Sequence, residues 1–415
     1  MDILYSNVAG LDVHLRSIFV AVRRVSASKR ARVREEVRTF GTMTNDILQL
    51  RDWLKTMGVT HVAMEATGVL WKPIWNLLEG HFTLLLVNPR ELKQVPGRKS
   101  DVRDCQWIAH LLQCGLLHSS FVPERAQREL RDLTRHRAQL RNEQTRIANR
   151  IHKVLEDTNI KLGAVATDLL GKSGRKMLRA LLQGEHDPVK LADLAERKLR
   201  KKIPQLRLAL VGHFTEHHHF LIAHLLDHLD FLERQIDALS ARIENCLQPF
   251  VSSEQFDRLD KIGGVNRCTI ENVVAEIGVN MNQFPSADHL SSWAGVSPGN
   301  DKSAGKIKRK RCTLGNRWLK RALTEAAWAS SHCKNCYLAA QFHRLAGRRG
   351  KKRALQAVAH SILVIFYHML KSPVEYQDLG KDYFDRLHPE RLSRYLVKRL
   401  EALGYEVALS PRQAA

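Results

Sequence analysis

Within the first 90 residues the spacing of apolar positions changes period several times, and that order limits the fold more than any other feature. Val8–Val13 and Ile18–Val25 are short apolar runs rich in β-branched residues, and Val33–Phe40 alternates charged and apolar positions, so three consecutive strands are expected. Asn45–Met57 then sets Ile47, Leu48, Leu50 and Leu54 at helical spacing. His61–Met64 is a further apolar strand running into Glu65. A helix through Trp71, Ile74, Trp75 and Leu78 follows, and then a last apolar run, Phe82–Val87. Three strands, helix, strand, helix, strand is the order of an α/β layered domain with a mixed sheet.

The ribonuclease H topology has this order. From about residue 125 the strands stop and an arginine-rich helical pattern begins. Leu130, Leu133, Leu140, Ile147, Ile151 and Val154 form one heptad seam, flanked by Arg131, Arg135, Arg137, Arg141, Arg146 and Arg150. A second seam runs through Phe214, Leu221, Leu225, Leu229, Leu232, Ile236, Leu239 and Ile243. Two such helices either pair with each other or dimerise the chain. Lys198–Lys202 and Pro204 mark a basic elbow between them. The last region opens near Phe256 with the turn-rich Lys261–Asn266, continues in helix to Ile277, passes a small-residue loop at Ser297–Gly305, and is helical to about Leu370. The expected divisions are 1–125 (catalytic α/β domain), 126–252 (arginine-rich helices and coiled coil), 253–375 (a mostly helical domain) and 376–415 (a C-terminal appendage).

Charge narrows the partners. With 66 Lys and Arg against 43 Asp and Glu, the 415-residue chain carries +23, which points to a polyanion, nucleic acid before anionic membrane. The longest apolar stretch, Ile362–Leu370, is interrupted by His368 and is too short to span a bilayer. The first residues carry Asp2 and Asp12 with no basic start and apolar run, so a cytoplasmic bacterial location is expected. Seven scattered cysteines suit free thiols better than a disulfide framework.

Four acids stand out. Asp12 interrupts the apolar strand VAGLDVH, Glu65 closes the strand HVAME, and Asp101 and Asp104 lie three apart at the start of a helix, hence on one face. A carboxylate in an apolar strand is costly to bury unless a cation or hydrogen bonds accompany it. Hard oxygen ligands in that order suit Mg²⁺, or Mn²⁺ in its place, at a phosphodiester. Taken separately, each acid also reads as an ordinary surface or turn residue.

Gly305–Arg321 holds eight cations and no acid: Lys306, Lys308, Arg309, Lys310, Arg311, Arg317, Lys320 and Arg321. Gly347–Arg353 holds five, among them Arg348, Arg349, Lys351 and Lys352. Clusters of a single sign inside a folded domain favour phosphate contact. Trp318 reads as a core residue before a base-stacking one, and the Lys261–Asn266 turn reads equally as a phosphate cradle or an ordinary turn. Ser303, in the loop before the first cluster, is either a turn residue or a nucleophile toward phosphate. His332–Cys336 has zinc-like spacing without a second paired motif, and His217–His219 reads as a polar helix face.

Several long motifs in order carry a resemblance. GLDVH with Asp12, MEATG with Glu65, VNPRELKQVPGRKSDVRD with Asp101 and Asp104, and FPSADHLSSWAGVSPGNDKSAGK with Ser303 are similar to the DEDD transposases of bacterial insertion sequences, the insertion sequence 110 family, over about residues 6–375. The resemblance implies an N-terminal ribonuclease H or RuvC-like α/β domain, central coiled-coil helices and a C-terminal helical transposase domain. It implies metal held by Asp12, Glu65, Asp101 and Asp104, and Ser303 as nucleophile. The partners it implies are donor and target double-stranded DNA, a noncoding bridge RNA and further copies of the chain, as a dimer or a dimer of dimers. One departure from the pattern is Gly263, Gly264 and Asn266, where relatives tend to have a proline-glycine turn with a further glycine.

The reading is a DNA recombinase of a mobile element. Its rivals are a structure-selective endonuclease or resolvase using the same acids with water as nucleophile, and a non-catalytic RNA and DNA scaffold.

Overall fold

In the computed structural model, residues 3–25, 33–89, 101–298, 301–303, 306–309, 312, 314–387 and 389–410 are described, and the side chains of 101–102, 301–303 and 306–309 lie outside that description. The chain divides into two compact units, Met1–Pro123 and Glu124–Ala415.

The first unit is built on strands β1 (Asn7–Val13), β2 (Ser17–Val25), β3 (Val33–Gly41), β4 (His61–Glu65) and β5 (Thr83–Val87), with helices α1 (Thr44–Thr56), α2 (Trp71–Leu78) and α3 (Asp101–Gln113). The sheet order is β3-β2-β1-β4-β5; the first three strands are antiparallel, and β4 and β5 run parallel to β1. This is the ribonuclease H arrangement expected from the element order.

Strand alternation sorts the side chains into two layers. Leu11, Val13, Val62 and Met64 pack with Ile47, Leu50, Ile74 and Leu78 of α1 and α2. Val8, Ala63 and Val87 face Ile108 and Leu112 of α3. Gly10 shares the α3 face and is the point of closest approach: a β-carbon there would lie 2.3 Å from the Ala109 amide nitrogen and 2.4 Å from the Cys105 carbonyl oxygen. A glycine inside a strand allows this backbone-to-backbone contact. The Gln113 carbonyl at the far end of α3 accepts hydrogen bonds from the Leu4 and Tyr5 amides (2.9 and 3.2 Å), so α3 runs antiparallel to β1.

Among its described residues the second unit is helical except for one hairpin. Its long helices α4 (Arg125–Asp157) and α8 (Glu216–Leu247) pack along each other. Between them lie α5 (Lys172–Leu182), α6 (Pro188–Asp193), a 3₁₀ turn (Arg197–Lys202) and α7 (Ile203–Ala209). The seam expected on α4 is buried at Leu130, Ile147 and Ile151, and that on α8 at Leu229, Leu232, Ile236 and Ile243. Of the two outcomes left open for these seams, the structure contains the pairing within one chain. Ile147 to Leu232 form one core with α5 to α7. The opposite ends of α4 and α8 join a second core with α9 (Ser253–Asp260), α10 (Arg267–Ile277), α11 (Ala287–Ala294), α12 (Arg317–Ser330), α13 (Tyr337–Arg349) and α14 (Lys351–Lys371).

The loop expected at Ser297–Gly305 holds strand β6 (Asp301–Ser303), paired antiparallel with β7 (Lys306–Arg309). Lys261–Asn266 is a packing turn. Gly264, at φ +85°, lies against Ser330, whose hydroxyl donates to the Gly263 carbonyl at 2.6 Å, and the Asn266 side chain caps α10. Helix α14 is longer than the apolar stretch that marks it, and by length and composition it could cross a bilayer; half of it is buried here, through Val358, Ile362, Leu363 and Phe366. Beyond it lie a short helix at Tyr383–Leu387 and α15 (Pro389–Glu401), with no buried residues in either.

Gly10→Ala should drive α3 off the sheet and cost about 3 kcal/mol, since a methyl group cannot displace backbone on both sides. Gly80→Ala, at φ +81° with nothing within 4 Å of the added carbon, should cost only the left-handed strain of about 1 kcal/mol. Urea denaturation of the two variants measures the difference.

Candidate active site

Asp12 stands two residues beyond Gly10 and therefore on the α3 face of the sheet. It is 7% exposed. The parallel register pairs Leu11 with Met64, and one step further sets Asp12 level with Glu65, at the ends of both strands and on the same face. Because α3 runs antiparallel to β1, its first turn, with Asp101 and Asp104, lies at this same end. Cys105, one residue beyond Asp104, is fully buried; burial first and the nearby Asp12 carboxylate second push its thiol up to about 12. That influence links Asp12 to the beginning of α3. The three backbone segments carrying all four sequence-predicted acids thus converge at one end of the sheet, near the positive end of a helix.

The donor chemistry fits a hard divalent cation such as Mg²⁺ or Mn²⁺. Among the described residues no group of three His, Cys, Asp or Glu side chains forms a ready-made metal cluster, and the Asp101 side chain lies outside them. One neighbour escaped the sequence reading: His14 Nε2 lies 3.1 Å from the Asp12 carboxylate. Its signal was the spacing, since two residues along a strand share a face. The helix is further anchored by Gln106, which donates to Glu35, and by Arg23, whose Nε donates to Gln113 at 3.0 Å.

In the second unit, Ser303 ends β6 opposite Lys306. The hairpin's flanks are held by backbone contact and by a buried carboxylate. Gly295, at φ +75°, caps α11, and a β-carbon on Gly315 (φ +48°) would lie 2.3 Å from the Gly295 nitrogen. Asn316 follows, accepting from the Trp318 and Leu319 amides to cap α12 while its amide donates to Glu276 at 2.7 Å. Glu276 is 1% exposed and also receives a bidentate Arg135 fork at 2.7 and 2.8 Å, with Arg131 at 3.5 Å. Arg137, 2% exposed, pairs with Glu271 at 2.6 Å. Of the arginines flanking the α4 seam, Arg131, Arg135 and Arg137 therefore neutralise buried acids of α10, which the sequence did not disclose.

The basic residues divide by environment. Lys306, Lys308 and Arg309 lie on β7, while Lys310 and Arg311 fall outside the described residues. On α12, Arg321 is engaged by Glu325 and Asn142, both at 2.7 Å. Half-buried Trp318 sits beneath the guanidinium groups of Arg317 (4.9 Å) and Arg135 (5.8 Å), so it is neither a core residue nor an open stacking platform. Arg348, Arg349, Lys351 and Lys352 are exposed around Gly350. Lys351 and Lys352 begin α14, where the helix dipole disfavours cations; stability does not account for them. Of the histidine run, His218 bonds Thr215 and Asp157, and His219 bonds the Leu182 carbonyl. Cys336 of the zinc-like motif caps α13.

Residues 9–160 match a DEDD transposase model, and residues 256–344 match the transposase family IS116/IS110/IS902. The two matches follow one another in the order of the units that carry the acids and the hairpin. The chain belongs to the IS110 transposase family. The "Insertion element IS110 uncharacterized 43.6 kDa protein" of Streptomyces coelicolor is 26% identical over 306 residues, covering 68% of this chain and 73% of that one. Two solved structures, of Thermus thermophilus RuvC and of that protein with a Holliday junction substrate, are each 14% identical and cover 28% of this chain and 99% of theirs, with TM-scores of 0.22 and 0.21. As an IS110-family transposase, the protein is a DNA-cleaving and strand-transferring enzyme.

Glu276→Ala would leave the forked guanidiniums without their counter-charge in a buried site, and a loss of about 3–5 kcal/mol is expected. Glu325→Ala, which breaks only the exposed pair with Arg321, should cost under about 1 kcal/mol. Denaturant titration distinguishes them.

Proposed function

We propose that this transposase cuts and rejoins DNA through a covalent phosphoserine, with Ser303 as nucleophile and Asp12, Glu65, Asp101 and Asp104 as the ligands of Mg²⁺ or Mn²⁺. The Ser303 hydroxyl attacks the scissile phosphate, forms a 5′-phosphoserine ester and releases a 3′-hydroxyl. A 3′-hydroxyl from another strand then attacks the ester and frees the serine, so each step exchanges one phosphodiester for another and no ATP is consumed. A bound divalent ion supplies positive charge for the phosphate and an acidified oxygen.

The chain's own acids would supply the anionic oxygens: Asp12 and Glu65 are set level by strand register, and the backbone of Asp101 and Asp104 is set by the helix that follows. The convergence of these segments on the α3 face is the observation that carries the reading. His14, at the Asp12 carboxylate, orients that ligand. Exposed cations at Arg348, Arg349, Lys351 and Lys352 receive backbone phosphates, as do Lys306, Lys308 and Arg309.

Selection of the DNA sites we assign to a noncoding bridge RNA encoded by the element, bound with donor and target DNA by a dimer or a dimer of dimers. Family membership and the net charge of +23 support this assignment.

Trapping the protein on nicked DNA tests the reaction. Asp12→Asn and Asp104→Asn should each reduce cleavage at least about 100-fold while nucleic-acid binding persists, and chelation of divalent ions should do the same to the wild type. Ser303→Ala should abolish the protein–DNA adduct and leave divalent-ion binding unchanged. Cleaved ends without an adduct in the wild type would assign the reaction to water, and neither product would leave a binding scaffold.

A further inference from the structure

The 3₁₀ turn Arg197–Lys202 carries five cations in six residues, Arg197, Lys198, Arg200, Lys201 and Lys202, and all five are exposed. It lies in the part of the second unit between the two family matches, which end at residue 160 and resume at residue 256. Neither match covers it.

Its electrostatics are unlike those of the arginines on α4. The acids of its neighbourhood are already engaged. Glu185 pairs with Lys190 at 3.2 Å, and Asp187 caps α6. Asp193 pairs with Arg207 at 3.5 Å, and Glu196 with Lys172 at 3.5 Å and with Lys176. Lys202 donates to the Val165 carbonyl at 2.9 Å. Among the described residues, Arg197, Lys198, Arg200 and Lys201 have no ion-pair partner. Adjacent like charges repel by roughly 1 kcal/mol even in water at 4 Å. Arg197 is also held at φ +49°, a conformation that costs an L-residue about 1 kcal/mol and that glycine or asparagine would relieve. Folding alone gives no reason to keep cations here, whereas an external polyanion does.

We propose that this turn is a contact surface for the phosphate backbone of a base-paired nucleic acid. No aromatic residue occurs between Pro188 and Ala209, so the segment lacks the stacking platform that unpaired bases require. A six-residue 3₁₀ turn spans about 12 Å, and a duplex presents one phosphate per about 1.7 Å of axis, so each of the four unpartnered cations has a phosphate within reach. Phosphate is common to duplex DNA and duplex RNA, and the experiment separates them. The inference needs only that the enzyme acts on nucleic acid; it stands whether or not Ser303 is the nucleophile.

The test is full-length protein with Arg197, Lys198, Arg200 and Lys201 replaced by Ala, titrated with duplex DNA, duplex RNA and a single strand of equal length over a range of salt. A second variant, Arg391→Ala, Arg394→Ala, Lys398→Ala and Arg399→Ala on α15, removes the same net charge from exposed positions elsewhere. The turn variant should bind one duplex about tenfold more weakly, with a log–log salt slope shallower by roughly 2 to 4, about 0.9 per lost phosphate. The α15 variant should keep the wild-type slope. The duplex whose slope changes identifies the ligand. Unchanged slopes for both duplexes, an equal loss in the α15 variant, or a loss confined to the single strand would each overturn the proposal. Unaltered circular dichroism and urea midpoint exclude misfolding. If the quadruple variant misfolds, Arg200→Ala with Lys201→Ala should give about half the slope change, and an unchanged slope there overturns it equally.

Discussion

The contact between the backbone of α3 and the backbone of β1 at Gly10 governs the first unit. With only a hydrogen at that position, the helix lies directly on the strand, and a β-carbon 2.3 Å from the Ala109 nitrogen would hold it away. The helix direction, fixed by the Leu4 and Tyr5 bonds to the Gln113 carbonyl, decides which end of α3 meets which end of β1. The first helical turn consequently lies at the end of the sheet where register has set Asp12 and Glu65 level. Acids carried on packed regular elements are held more precisely than acids on loops, and the 7% exposure of Asp12 is sustained only by such surroundings.

Charge in the second unit serves two purposes that composition cannot separate. Arg131, Arg135 and Arg137 are spent on Glu271 and Glu276, both almost fully buried. Removing either acid leaves a guanidinium stranded, which is why these pairs hold α10 and the base of the hairpin to α4. The cations around Gly350 and on the 3₁₀ turn have no such duty. The excess of +23 is thus a mixture of internal cement and outward-facing cations, and only the second kind is free to meet a polyanion.

The α/β unit was legible because its strands and helices differ in period, and a carboxylate in an apolar strand such as Asp12 is conspicuous. The long helices were legible from their seams, but a heptad does not name its partner, and the pairing of α4 with α8 came from the structure. The hairpin at Ser303 was read as a loop because strands of three and four residues are too short to show a period. The role of Arg137 was hidden for another reason: Glu271, its partner, is 134 residues away in sequence, and a single sequence carries no record of that proximity. The close approach at Gly10 had a signal, a glycine inside an apolar strand, that went unused.

Metal-directed backbone cleavage tests the central claim most directly. With Fe²⁺ in place of Mg²⁺ and ascorbate with peroxide as the radical source, the protein should be cut at three separated segments: the end of β1 around Asp12, the end of β4 around Glu65, and the start of α3 around Asp101–Asp104. Excess Mg²⁺ should suppress all three cuts together. Cuts confined to one of these segments, or clustered elsewhere in the chain, would contradict a shared metal site at this end of the sheet.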